Sequence, residues 1–423
     1  MLQFLLHFQD LFRNRTRSLT HNALLYLKGL MVCRRRNCQV MAEELQEGNN
    51  QRLHHFITGS KWSFSGLMDT ITVNFGNRLK EAALGDDTCL IIDEAGNPKK
   101  GTHSAGVMRQ YCGQVGKLEN CQVGVFGALC GGSLVNLVQA RLSQKEDEHT
   151  KIDLALQIIH HVTEVLRVSV KWVCFDAFYG RDAALLASLI KRGLDFVADV
   201  PDNLQVWLEP FQMRVPTKKP GTRGRKSIYA RPNKASLSIK AYAASLRPVD
   251  WKYITVRYQS GGRKLKAWFH CKEVYIYNPL TEKRLLIQLL IRADKDGTIK
   301  YSFCHCPGAS LKELAYRQCK RYFVEKAFRD GKKELGLNEY QTRSEEGWNK
   351  HMAMVMLGQL FLNQEKLQLY AEEKIWLTVQ DLILILRSLL KLAILQLDKI
   401  LDAILAKQPP DKRLMNRLLY IKI

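Results

Sequence analysis

The sequence predicts an α/β protein: a mixed sheet with flanking helices, interrupted by a β-rich insertion and preceded by a helical N-terminal domain. Three observations predict it. Short apolar runs at 88–93 and 168–176 suit buried strands, and each closes on an acid, Asp93 and Asp176. From residue 88 onward strands come first and helix and strand then alternate, the pattern of a sheet with helices packed on it. Over 201–310 that alternation gives way to short runs of strand character separated by turn residues.

Taken in order, each element has a local reason. Apolar residues recur at helical intervals over 22–31, 40–45 and 62–83, with Ser60 and Ser63 as caps for the last. Arg34, Arg35 and Arg36 lie between the first two, which suits a small helical DNA-binding domain and equally any helical subdomain. Gly96, Pro98 and Gly101 mark a loop. Strands follow at 120–129 and 134–141, a helix at 151–167, a strand at 168–175, a helix at 181–192 and a strand at 194–200. The stretch 216–226 is an exposed loop rich in Pro, Gly and base. Strands at 253–258, 265–270, 273–277 and 285–293 follow, with Gly261-Gly262 and Asn278-Pro279 as turns. Helices return at 311–333 and 346–362, and the tail from 377 is helical. Five segments result: a helical N-terminal DNA-binding domain (1–85), two core parts (86–200 and 311–365), a basic β-rich insertion (201–310) and a helical tail (366–423).

Charge narrows the partner. Lys and Arg number 64 against 41 Asp and Glu, a net +23, which favours nucleic acid or an acidic membrane surface. The excess is clustered: residues 201–270 hold 15 Lys and Arg against 3 Asp and Glu. The 11 cysteines have no disulfide spacing, and Cys304-His305-Cys306 lacks the paired spacing of a zinc site, so a reducing cytoplasm is expected. No signal peptide is expected at the N-terminus. The apolar tract 382–405 is broken by Arg387, Lys391, Asp398 and Lys399, so it reads as an amphipathic helix and not a membrane span.

Two buried strands ending in Asp93 and Asp176 can set both carboxylates side by side, and like charges held close call for a cation. Mg²⁺, a hard ion that prefers oxygen ligands, suits two or three carboxylates and a phosphate. Glu325 is the third candidate. Its spacing to Arg321 and Arg329 leaves a surface ion pair open as the alternative.

The stretch Leu90-Ile-Ile-Asp-Glu-Ala-Gly-Asn-Pro-Lys-Lys-Gly-Thr-His and its continuation to Val125 resemble the first-aspartate block of bacterial insertion-sequence transposases of the DDE class. The run Val173-Cys-Phe-Asp-Ala-Phe-Tyr-Gly resembles their second-aspartate block. The run Arg321-Tyr-Phe-Val-Glu-Lys-Ala-Phe-Arg-Asp-Gly-Lys, followed by Tyr340, Arg343, Gly347-Trp348 and His351, resembles the glutamate block. Arg321, Glu325 and Lys332 match the signature Tyr-x2-Arg-x3-Glu-x6-Lys of a cut-and-paste group, while its tyrosine position holds Gln318, with Tyr316 and Tyr322 nearby. The likeness extends upstream through Tyr26-Leu-Lys-Gly-Leu, Asn50–Phe56 and Ser60-Lys-Trp, and so covers about 20–360.

The resemblance implies a ribonuclease-H-like core and a DNA transposase. Asp93, Asp176 and Glu325 would hold two Mg²⁺, with Mn²⁺ as a substitute, to cut element ends and join the 3′-hydroxyl to target DNA. It implies phosphate contacts from Arg321 and Lys332, and DNA contact or loop ordering by Lys99, Lys100, His103 and Arg109. Trp207, Trp251 and Trp268 are candidates to stack on an extruded base. The expected partners are the terminal inverted repeats and target DNA, with a homodimer on paired ends and no membrane. The alternatives are a nuclease of the same fold that cuts without joining, and a catalytically idle DNA-binding derivative.

Overall fold

A computed structural model describes residues 1–45, 49–144, 149–217, 221, 223, 225, 228–258, 264–278, 283–373 and 377–394. In chain order the main elements begin with helices α1 (Thr20–Val32), α2 (Cys38–Leu45), α3 (Asn50–Thr58) and α4 (Phe64–Glu81). Strands β1 (Cys89–Pro98), β2 (Val107–Cys112), β3 (Lys117–Gly131) and β4 (Leu134–Leu142) follow. Then come α5 (Lys151–His160), β5 (Trp172–Phe175), α6 (Ala183–Lys191) and β6 (Phe196–Val200). The insertion adds β7 (Lys252–Tyr258), β8 (Lys264–Asn278), β9 (Lys283–Ala293) and β10 (Ile299–His305). The chain ends in α7 (Leu311–Lys320), α8 (Tyr322–Glu334), α9 (Glu345–Glu373) and α10 (Val379–Ile394).

The chain divides into two compact units. The first comprises Met1–Gly85, Glu94–Ser169 and Phe323–Ile423; the second comprises Asp86–Asp93 and Val170–Tyr322. Strand β1 contributes its first half to the second unit and its second half to the first.

In the first unit β3 pairs antiparallel with both β2 and β4. Helix α9 is buried on every side from Gly347 to Asn363, as expected of a helix enclosed in a core. Ser63 caps α4, its side chain accepting from Gly66 N–H. Arg36, in the basic stretch, is buried and held by Glu339 and by the carbonyls of Leu30, Lys333 and Glu334. It serves packing, while Arg34 and Arg35 are exposed.

In the second unit the order is β1-β5-β6-β10-β9-β8-β7. Strands β1, β5 and β6 run parallel, and β10 joins β6 antiparallel. The insertion therefore extends the same sheet. The second unit is thus a mixed sheet, parallel over β1, β5 and β6 and antiparallel from β10 onward, with helices beside it.

Several elements depart from expectation. Strand β1 continues to Pro98 through the expected loop at 96–98, and β5 begins at Trp172, not at 168. The strands expected at 265–270 and 273–277 are one strand, because Cys271 and Lys272 continue the ladder opposite Leu290 and Leu289. The helix expected at 311–333 breaks at Arg321, which caps α7. Helix α3 and strands β2 and β10 are additional. Gly261-Gly262, Pro279, the basic residues Lys218, Lys219, Lys226 and Arg263, and the tract beyond 394 lie outside the described residues. Among the described residues no helix is long and apolar enough to cross a membrane.

Candidate active site

Three acids stand level at the ends of adjacent parallel strands in the second unit. Strand β1 pairs β5 with Cys89 opposite Trp172 and Ile91 opposite Cys174. The same register carried two residues further sets Asp93 opposite Asp176. Strand β5 pairs β6 with Phe175 opposite Ala198, so one residue on Asp176 faces Asp199. On β10 Ser302 lies opposite Asp199. Neighbouring strands are about 4.8 Å apart and residues of one row share a face, so Asp93, Asp176, Asp199 and Ser302 form a continuous row. Sequence reasoning finds the first two and misses Asp199. Its only signal would have been a shared strand offset, which is invisible until the register is known.

A row of carboxylates needs positive charge, and Arg321 supplies it. Its Nε donates to Asp199 Oδ2 at 2.9 Å and its Nη1 to Asp93 Oδ2 at 3.4 Å. On its other oxygen Asp199 accepts from the Ser302 hydroxyl at 2.7 Å, and Ser302 accepts in turn from Gln318 Nε2 at 2.8 Å. Burial pushes the Asp199 carboxyl above its ordinary value, with Arg321 and Ser302 pulling it back. Asp176 caps a single turn, Ala177–Gly180, accepting from the N–H groups of Phe178 at 2.9 Å and Tyr179 at 3.4 Å.

Helix α7 sets where Arg321 stands. Ser310 and Glu313 form a capping box at its start. Tyr316 Oη and Lys320 Nζ both donate to Asp87, at 2.8 and 2.6 Å. Arg317 pairs with Asp195 at 2.7 Å and lies over the Trp172 ring. With Gln318 on Ser302, four side chains of one helix are pinned to the second unit.

The row thus brings together Asp93, Asp176 and Arg321. The other expected residues belong to the first unit. Glu325 is exposed in the first turn of α8, and Lys332 is in its last turn near the Phe328 ring. Lys100, His103 and Arg109 are exposed, Arg109 on β2 opposite Asn120. Lys99 packs over the Tyr340 ring at 3.9 Å, and burial lowers its pKa to about 8. Among the described residues no three Asp, Glu, His or Cys are gathered closely enough to ligate an ion as they stand. The carboxylate oxygens of the row are the donors a hard divalent cation takes.

A family model described as DDE superfamily endonuclease matches residues 7–263. The chain belongs to the DDE superfamily of endonucleases. The match contains Asp93 and Asp176 and ends before Glu325. This DDE chain is also 30% identical over 172 residues to a protein of Microchaete diplosiphon named as a probable transposase for insertion sequence element IS701, covering 39% of this chain and 44% of that relative. A solved piggyBac transposase synaptic complex with hairpin DNA aligns over 99% of this chain and 80% of that one, at 9% identity and a TM-score of 0.45.

Other features of the DDE chain also resolve. Gln318, at the signature tyrosine position, is buried and serves Ser302. Tyr316 is committed to Asp87, while Tyr322 is exposed beneath Arg257. Trp207 is buried against Phe211, whereas Trp268 is 45% exposed beside Tyr253. Cys304 and Cys306 are buried free thiols, Cys304 within β10.

Proposed function

We propose that this chain is a DNA transposase that cuts element ends and joins the freed 3′-hydroxyl to target DNA, with Asp93, Asp176 and Glu325 as the ligands of two Mg²⁺ or Mn²⁺ ions. The observation that carries the reading is that β1, which holds Asp93, pairs in parallel with β5, which Asp176 directly follows, both inside the span that matches the family. The name of the Microchaete diplosiphon relative supports joining as well as cutting.

When bound, the metal pair supplies Lewis acidity to the attacking and leaving oxygens. The side chains of the protein do the rest. Asp93 and Asp176 present oxygens from a rigid sheet, which suits a reaction governed by positioning and charge neutralisation. Arg321 offers a planar guanidinium beside Asp93, fit for bidentate contact with a phosphate. Lys332, Lys100 and Arg109 add charge along the DNA, and the helical N-terminal domain and the basic 201–270 stretch follow its backbone. Two chains act together on paired ends, which sizing with and without end DNA checks.

The test is a plasmid carrying the terminal inverted repeats, incubated with Mg²⁺ and a target plasmid. The expected result is 3′-hydroxyl ends and joined products, with Asp93→Asn, Asp176→Asn and Glu325→Gln each lowering the rate by two or more orders of magnitude while DNA binding persists. Cleavage without joined product would leave the nuclease reading. Full activity in any of the three variants would remove that acid from the site.

A further inference from the structure

Arg321 meets Asp199 more closely than Asp93, and Asp199 is not one of the three proposed metal ligands. Nε sits 2.9 Å from Asp199, against 3.4 Å from Nη1 to Asp93. Asp199 is itself fixed from behind. Ser302 Oγ has one proton, given to Asp199, so it must accept from Gln318, whose amide N–H can only donate. Ser302 is fully buried and Gln318 nearly so. The chain Gln318 to Ser302 to Asp199 to Arg321 therefore runs in one direction and ends on a guanidinium at the edge of the acid row.

We propose that Asp199 is a positioning residue that retains Arg321 when Asp93 gives it up. The guanidinium then turns one edge from Asp93 to the DNA backbone while Nε stays anchored one strand pair away. Gln318 and Ser302 hold Asp199 for this purpose, which gives the residue at the signature tyrosine position a definite task. Arg321 also competes with a divalent ion for Asp93, and Asp199 shares that guanidinium and so weakens its hold on Asp93. This second part rests on the proposed metal site; the first does not.

The consequences have opposite signs in different variants. With Asp199→Asn the guanidinium loses its bond to that carboxylate and keeps the one to Asp93, and Mn²⁺ binding weakens. With Arg321→Gln the competitor is gone, and Mn²⁺ binding strengthens. The double variant follows Arg321→Gln, because Asp199 acts only through Arg321.

Two measurements on the full chain test this. The first is NMR of the arginine Nε–H groups, with the Arg321 signal assigned by its loss in Arg321→Lys. A proton bonded to Asp199 is slow to exchange in the unaltered protein and in Asp93→Asn, and fast in Asp199→Asn. Protection that survives Asp199→Asn and disappears in Asp93→Asn would overturn the anchoring. The second is Mn²⁺ titration followed by electron paramagnetic resonance of the free ion. The expected result is affinity at least fivefold weaker in Asp199→Asn, restored in Asp199→Asn/Arg321→Gln. Unchanged affinity in the single variant, or a double variant as weak as the single, would overturn the competition. If the unaltered chain takes up no Mn²⁺, the metal reading and the competition fail together, while the NMR result still decides the anchoring. Should Asp199→Asn fail to fold, Ser302→Ala removes one support of Asp199, and the same proton should exchange faster; no change there would count against the relay.

Discussion

At the scale of single residues, His351 shows how completely one side chain can be specified. It is fully buried, accepts at Nδ1 from Tyr26 Oη at 2.8 Å and donates from Nε2 to the Gly336 carbonyl at 3.0 Å. The Gly336 carbonyl can only accept, so Nε2 carries a proton, and in the neutral ring Nδ1 is left to accept from Tyr26. Burial lowers its pKa to about 4. The sign follows from linkage: the unfolded chain binds a proton below about pH 6.5 that the folded chain refuses. Stability from this residue is therefore intact above about pH 6.5 and is lost as pH falls toward 4, to a total of roughly 3 kcal/mol. Urea midpoints measured from pH 7 to 4.5 should fall more steeply for the unaltered protein than for His351→Gln, and parallel curves would refute the assignment. Gly180 carries a different constraint. A Cβ there would collide with the carbonyl oxygen of Asp199, so Gly180→Ala must move the end of β6. The expected cost is about 1–3 kcal/mol of overpacking, read by thermal melting, together with faster exchange of the Arg321 Nε proton. Asp93 and Asp176 were legible at this scale because an apolar run closing on an acid is a local pattern. Asp199 closes a similar run one residue before its end, with nothing local to mark it.

At the scale of elements, α7 matters most. Lys320 is 1% exposed and its ammonium meets Asp87. Asp87→Ala would leave a buried charge without that carboxylate, a loss of about 3–5 kcal/mol. Chemical denaturation measures it, and adding Lys320→Met should recover most of the loss; a shift below about 1 kcal/mol in the single variant would show that the pair does not pin the helix. Periodicity reads 311–333 as one helix because its apolar spacing runs on through Arg321. The break there follows from tertiary pairing, which commits Gln318 and Arg321 to β10, β6 and β1. Strand β8 shows the converse. Local reading splits it at Cys271-Lys272, but both residues have ladder partners on β9, and pairing outweighs the weak strand preference of lysine.

At the scale of the whole molecule, the net charge of +23 predicts DNA binding dominated by counterion release. If 6–10 phosphates are neutralised, affinity should fall by about 10³–10⁵ between 50 and 200 mM salt. Filter binding over that range checks it, and a flat profile would show that the basic residues do not follow the backbone.

What the sequence by itself determined is the fold class, the two strand-end aspartates and the basic character, because each rests on short-range pattern or on composition. Only the tertiary structure decided that Asp199 and Ser302 continue the row and that Arg321 serves two acids. The physical reason is that strand register and ion pairing join residues more than a hundred positions apart, through distances that no local periodicity encodes.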